Sequence, residues 1–199
     1  MRLCIIGDEL VAETGDPRAL GWVGRVIARS SFTETPTVMP LGIPGESTKE
    51  LSERWDAEVS PRFHGDPDQR LIIAVGCADA VQGVSTPRTR LHLANIADAA
   101  LARGTRVMFV GPPPLAGVNT SAVGELSAAV NDVAHRRGLP FVNCFDPLVA
   151  NEQWFEDMAS SQARNEAGLT LPAQAGYGIL AWLVLHQGWY EWAECDLRS

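Results

Sequence analysis

A parallel β-sheet covered by helices on both faces is the architecture this sequence predicts, and three observations carry the prediction. Short apolar runs alternate with helical patterns from one end of the chain to the other. The clearest runs, RLIIAVG at 70–76 and TRVMFVG at 105–111, are almost continuously apolar, as strands buried on both faces must be. The intervening segments are long enough for crossover helices, so successive strands read as βαβ units.

Each element has its own local reason. RLCIIG at 2–7 reads as the first strand. The segment DPRALGWVGRVIARS then supplies Asp16 as N-cap and Pro17 at the first helical position. TVMPLG at 37–42 is a weaker strand, and its Pro40, lacking an N–H, points to a sheet edge or a strand end. STKELSERWDAEVSPRF opens with a capping box, Ser47 with Glu50, and carries Leu51, Trp55 and Val59 at one-turn spacing. A further helix follows strand 70–76, with Pro87 near its start and Gly104 at its end. Strand 105–111 stops at Pro112, Pro113 and Pro114, a long helix spans 121–137 up to Gly138, and PFVNC at 140–144 is the last strand. Helical segments at 152–160 and 172–186 and a short amphipathic tail with Trp189 and Trp192 complete the chain. About five strands joined by right-handed crossovers give a flavodoxin-like, three-layer α/β/α sandwich. With no internal repeat or linker, residues 1–199 are expected to form one domain.

Composition narrows the function. Hydrophobic residues make up 46% of the 199 and charged residues 20%, which suits a folded globular chain. A net charge of −8 argues against a nucleic-acid partner, and the one basic cluster, His135-Arg136-Arg137, reads as a response to a helix dipole. The longest apolar run, ILAWLVL at 179–185, falls far short of a membrane span. The opening MRLCIIGDEL is no secretory signal, and Cys4, Cys77, Cys144 and Cys195 show no CxxC spacing, so a reduced, cytoplasmic protein is expected.

In an open parallel sheet a ligand lies beyond the carboxyl ends of the strands. That rule selects the loops at 7–9, 42–48, 76–79 and 111–115. The residues there, IIGDEL at 5–10, LGIPGEST at 41–48 and VGCADA at 75–80, followed by GLTLPAQAGYGILAWLV at 168–184, resemble the sequence blocks of the SGNH, or GDSL-type, hydrolases. The blocks stand in family order over nearly the whole chain. The resemblance implies the SGNH hydrolase fold and ester hydrolysis by a Ser-His-Asp set with an oxyanion hole.

The positions matching the family's catalytic residues are occupied otherwise. Glu9 stands where the resemblance implies the nucleophilic Ser, Ala78 where it implies an Asn donor, and Gly168 and Leu171 where it implies Asp and His. Gly45 alone keeps its group, a backbone N–H for the oxyanion. Leu171 cannot accept a proton and Ala78 cannot donate a hydrogen bond, and loss of one oxyanion donor alone costs about 3–4 kcal/mol of barrier. The expected function is therefore that of a degenerate hydrolase, binding a small ligand or a partner through Asp8, Glu9, Gly45, Glu46, Cys77 and Asp79. The alternative is an active esterase for small esters, working through an altered constellation that includes Glu9 and Asp79.

Glu9 is expected to cap the helix start that follows it, or to pair with Arg25, Arg88 or Arg90 across the cleft. Asp8, Glu9, Glu46 and Asp79 could ring a divalent cation, but no His joins them and loop acids are usually solvated, so no metal and no cofactor are expected. Cys77 reads as a small residue packed beneath its loop. The tryptophans, at helical spacing, read as core, except that Trp189 and Trp192 suggest an exposed patch for self-association.

Overall fold

The computed structural model describes residues 1–198. Its elements, in chain order, are β1 (Arg2–Gly7), α1 (Gly21–Ala28), β2 (Ser30–Ser31), β3 (Thr37–Gly42), α2 (Thr48–Phe63) and β4 (Gln69–Ala74). There follow α3 (Ala78–Gln82), α4 (Thr86–Leu101), β5 (Arg106–Val110), α5 (Thr120–His135), β6 (Phe141–Val142) and α6 (Phe145–Leu148). The last elements are α7 (Glu152–Ser160), α8 (Gln174–Val184), α9 (Tyr190–Ala193) and β7 (Asp196–Leu197), with a kink at Gln187 and Gly188 between α8 and α9.

Five of the strands form one parallel sheet in the order β3-β1-β4-β5-β6, while β2 and β7 make a small antiparallel pair. Taken in chain order, the sheet strands run 2-1-3-4-5, the flavodoxin-like order. Pro40 lies on the edge strand β3 opposite Ile5, where its missing N–H costs no ladder bond. The last strand is only two residues long. Beside it the Gln187 side chain takes the Asn143 N–H at 2.9 Å and donates to the Asn143 carbonyl at 3.1 Å, doing for one residue what a sixth strand would do.

Alternation along each strand divides the core. Leu3, Ile5, Ile72 and Met108 point to the face covered by α1 and α8, and Cys4, Ile6, Leu71 and Phe109 to the face covered by α2, α4 and α5. The capping box opens α2 as the sequence requires, with the Ser47 hydroxyl taking the Glu50 N–H and the Glu50 carboxylate taking the Ser47 N–H.

Two sequence expectations need correction. Helix α1 starts at Gly21 rather than after Asp16. Asp16 still holds the helix start, but from five residues upstream: its carboxylate accepts the N–H groups of Arg18, Leu20 and Gly21 and binds the Arg25 guanidinium. The Arg25 partner holds this carboxyl at about 2, despite the opposing effect of burial. Nor is the C-terminal tryptophan pair an exposed patch. Trp189 is fully buried with its indole N–H donated to Ser30 Oγ at 2.8 Å, and Trp192 lies against the buried Arg70 guanidinium. The tryptophan that does face outward is Trp182, stacked on His186 along α8.

Candidate functional site

The first turn after β1 sets two carboxylates side by side, and the backbone sends them to different places. Asp8 turns inward. Its Oδ1 accepts the Leu10 N–H at 3.0 Å, and Asp8 lines a small cavity of about 20 Å³ with Leu10, Trp22, Val110 and Leu180. Burial, and then the charge of Glu9, push the Asp8 carboxyl well above the usual carboxylate range. The space it needs is left by Gly76, where a Cβ would come within 1.5 Å of Asp8 Oδ2.

Glu9 turns toward the open end of the sheet and is 3% exposed. Its Oε2 accepts the Gly45 N–H at 2.8 Å, and its Oε1 accepts the Asn165 side-chain amide at 2.7 Å. Gly45 presents that N–H from a left-handed backbone, φ 73°, which a side chain would strain. Asn165 is fixed in turn by a hairpin loop: it donates its backbone N–H to the Leu169 carbonyl, accepts the Leu169 N–H on Oδ1 at 2.9 Å, and lies beside the Arg164–Thr170 bridge. Neither partnership expected for Glu9 is present. The turn's free N–H goes to Asp8 instead, Arg25 serves Asp16, Arg90 pairs with Asp132 at 2.9 Å, and Arg88 forms no ion pair with Glu9.

The remaining candidates divide in the same way. Cys77 and Ala78 stand with Glu9 and Gly45 around a cleft of about 300 Å³. The cleft is completed by Val81 and Gln82 of α3 and by Asn165, Glu166, Ala167 and Leu169 of the hairpin loop. Burial, reinforced by Asp8 and Glu9, pushes the Cys77 thiol far up, and its S–H donates to the Pro113 carbonyl, so it is a packed thiol as its sequence context suggests. Glu46 does not reach the cleft, because it is gripped by Arg54, which also donates to the Leu41 carbonyl at 2.8 Å. Asp79 is committed as well. It accepts the Thr48 N–H at 2.8 Å, the Thr48 hydroxyl at 2.6 Å and the Thr89 hydroxyl at 2.5 Å, tying the start of α2 to α4. Asp8, Glu46 and Asp79 do not line this cleft; they border a separate cavity of about 10 Å³ beside Thr48 and Gly76, and no hydrogen bond joins Asp79 to Glu9.

Of the two other positions matched to the family, Gly168 sits exposed in the hairpin turn at φ 76°, and Leu171 is fully buried in the core. No His lines the cleft; His92 sits against Thr48 Oγ1 at 3.1 Å, beyond Asp79. Among the described residues no group of three His, Cys, Asp or Glu side chains is placed to hold a metal ion. Among the described residues no helix is long and apolar enough to cross a membrane.

Sequence reasoning missed Asn165. Its local signal is only that of a turn residue, and its partner is 156 positions away.

Residues 5–179 match the model of the GDSL-like lipase/acylhydrolase family. The chain belongs to that family. Solved structures agree on the fold of this GDSL-like protein. A lipase/acylhydrolase from Enterococcus faecalis is 20% identical with a TM-score of 0.74, the match covering 100% of both chains. A catalytic mutant of Axe2, an acetylxylan esterase from Geobacillus stearothermophilus, is 20% identical with a TM-score of 0.71, over 100% of this chain and 96% of that one. The psychrotrophic esterase EstA from Pseudoalteromonas sp. is 15% identical with a TM-score of 0.70, over 97% and 98%. No curated protein matches the chain in sequence. At such identities the likeness carries the fold, and the chemistry of this GDSL-like chain has to be argued from its own cleft.

Proposed function

We propose that this GDSL-like protein is a ligand-binding member of its family, without ester hydrolysis by the family's usual route. One observation carries the reading: Glu9 Oε2 takes the Gly45 N–H at 2.8 Å. Gly45 is the position at which the family resemblance implies an oxyanion donor. An acyl-transfer site needs that N–H free for the charge that develops on a substrate oxygen. Here a resident carboxylate already holds it, and a second anion in the same place would be repelled rather than stabilised.

The groups that would activate a nucleophile are also missing around the cleft. A serine needs a base within hydrogen-bond reach, and neither a His nor a Ser lines the cavity. Cys77, the one lining thiol, is held in its protonated form chiefly by burial, with acidic neighbours adding to the effect. What remains is a partly enclosed cavity with apolar and polar walls, at the small end of the range for ligand pockets.

The test is an activity screen beside a binding screen. No turnover of short p-nitrophenyl esters and no labelling by a fluorophosphonate probe are expected, whereas small molecules that enter the cleft should raise the melting temperature. Stoichiometric fluorophosphonate labelling, mapped to any serine, overturns the reading.

A further inference from the structure

Among the described residues the buried acids are paired with a cation, pushed toward the neutral form or held by three donors, and Glu9 alone is held by just two neutral donors. Asp16 has Arg25 and Glu46 has Arg54. Asp79 accepts three donors, and Asp8 is pushed toward its neutral form. Glu9 is as deeply buried as any of them at 3% exposed, yet it has no cationic partner among the described residues and accepts only two neutral N–H donors. A carboxylate offers about four acceptor sites, so about two remain on the side of the cleft. A cation placed beside those free acceptor sites gains charge-assisted hydrogen bonds that a neutral ligand cannot make.

The walls say what kind of ligand. No Lys, Arg or His lines the cavity, and Glu166 adds a second carboxylate at the loop. Ala78, Val81, Ala167 and Leu169 supply apolar surface, with Val81 46% exposed at the mouth. A divalent metal would need more oxygen ligands than converge here. A primary ammonium carries three donors in a compact head, which suits the free sites of one carboxylate.

We propose that the cleft binds a small, free alkylammonium ion, its ammonium donating to Glu9 and its hydrocarbon lying against Val81 and Leu169. The proposal rests on the ligand-binding reading and adds the charge and class of the ligand.

Titration calorimetry of the whole chain at neutral pH tests it with three probes of similar size: n-butylammonium, n-pentanol and butyrate. The amine is expected to bind about tenfold or more tightly than the alcohol, and butyrate not to bind. Glu9→Gln should weaken the amine about tenfold and leave the alcohol within about twofold. Because Glu9→Gln also touches the Gly45 turn, Glu166→Gln at an exposed loop position serves as a second variant, expected to weaken the amine by about threefold with an unchanged melting temperature. Equal binding of amine and alcohol overturns the cationic ligand and leaves the ligand-binding reading standing. Binding by none of the three overturns both. Tighter binding of Nα-acetyl-lysine methylamide than of n-butylammonium overturns the free amine and reassigns the cleft to a lysine side chain of a partner.

Discussion

Asn165 and Glu9 stand 156 residues apart in the chain and are joined by a 2.7 Å hydrogen bond from the amide Nδ2 to the carboxylate Oε1. That bond fastens the hairpin loop before α8 to the turn after β1 and so closes one wall of the cleft. It is a hydrogen bond to a charged acceptor in a half-buried setting, a kind worth about 1.5–3 kcal/mol. Asn165→Ala is expected to lower stability by about 2 kcal/mol. Asn165→Asp keeps the acceptor for the Leu169 N–H but sets a second carboxylate against Glu9, so at neutral pH it should be the worse of the two. Urea denaturation of both variants checks the order, and an Asp variant as stable as the parent would remove Asn165 from this role.

A second expectation concerns recovery of hydrolysis. Glu9→Ser frees the Gly45 N–H but places the hydroxyl in a cleft without a His, so no ester turnover above the parent is expected. Adding Leu171→His does not supply the base. Leu171 is fully buried among apolar residues, and an imidazole there should cost about 3 kcal/mol rather than reach the cleft. An ester assay on the single and double variants, with thermal melts alongside, decides it; turnover in either would mean that a base has been overlooked.

These outcomes show which parts of the molecule the sequence could disclose. Elements with a local cause were legible: the Ser47–Glu50 capping box, the edge position of Pro40 and the buried runs that became β4 and β5. Of the residues named from the sequence, Glu9, Gly45, Cys77 and Ala78 line the cleft, each just after a strand end. The partners of the acids were not legible. Whether an acid faces a cleft or an arginine depends on side-chain direction and on a contact distant in sequence, as with Glu46 and Arg54 or Asp79 and Thr48. The same holds for Asp16, whose chemistry as a cap was readable while the four-residue delay before α1 was not. Short elements with few periodic positions, such as α3, were missed, and α3 supplies Val81 to the cleft wall.

The Asp8 carboxyl makes a prediction about pH. Burial and the Glu9 charge raise its folded value, so the folded state holds the proton more tightly than the unfolded chain does. The stability contributed by the neutral carboxyl is therefore fully present below the unfolded value of about 3.9 and is lost as pH rises toward and through the folded value. Asp8→Asn removes the cost of ionisation while keeping an oxygen for the Leu10 N–H. The variant should exceed the parent in stability at neutral pH, by a margin that shrinks as pH falls toward 4. Denaturation midpoints across that range measure the margin, and a margin that grows on acidification would reverse the assignment.

The last prediction follows from the fit between Asp8 and Gly76. An added Cβ at Gly76 would lie 1.5 Å from Asp8 Oδ2 and 2.3 Å from its Cγ, a collision with a buried and hydrogen-bonded group that has little room to retreat. The backbone of Gly76 is not at issue, since its φ lies outside the left-handed region; the requirement is for space alone. Gly76→Ala should therefore cost about 3 kcal/mol or somewhat more, at the upper end of overpacking changes. Asp8→Ala should cost less, about 1–2 kcal/mol, as it leaves the Leu10 N–H without its acceptor but relieves a buried carboxyl. In the double variant the collision is gone, so the two losses should fall short of additivity by at least about 1 kcal/mol. A double-mutant cycle by chemical denaturation measures the coupling. If the losses simply add, Gly76 is fixed by something other than the Asp8 carboxyl, and the close approach of these two loops does not explain why glycine follows β4.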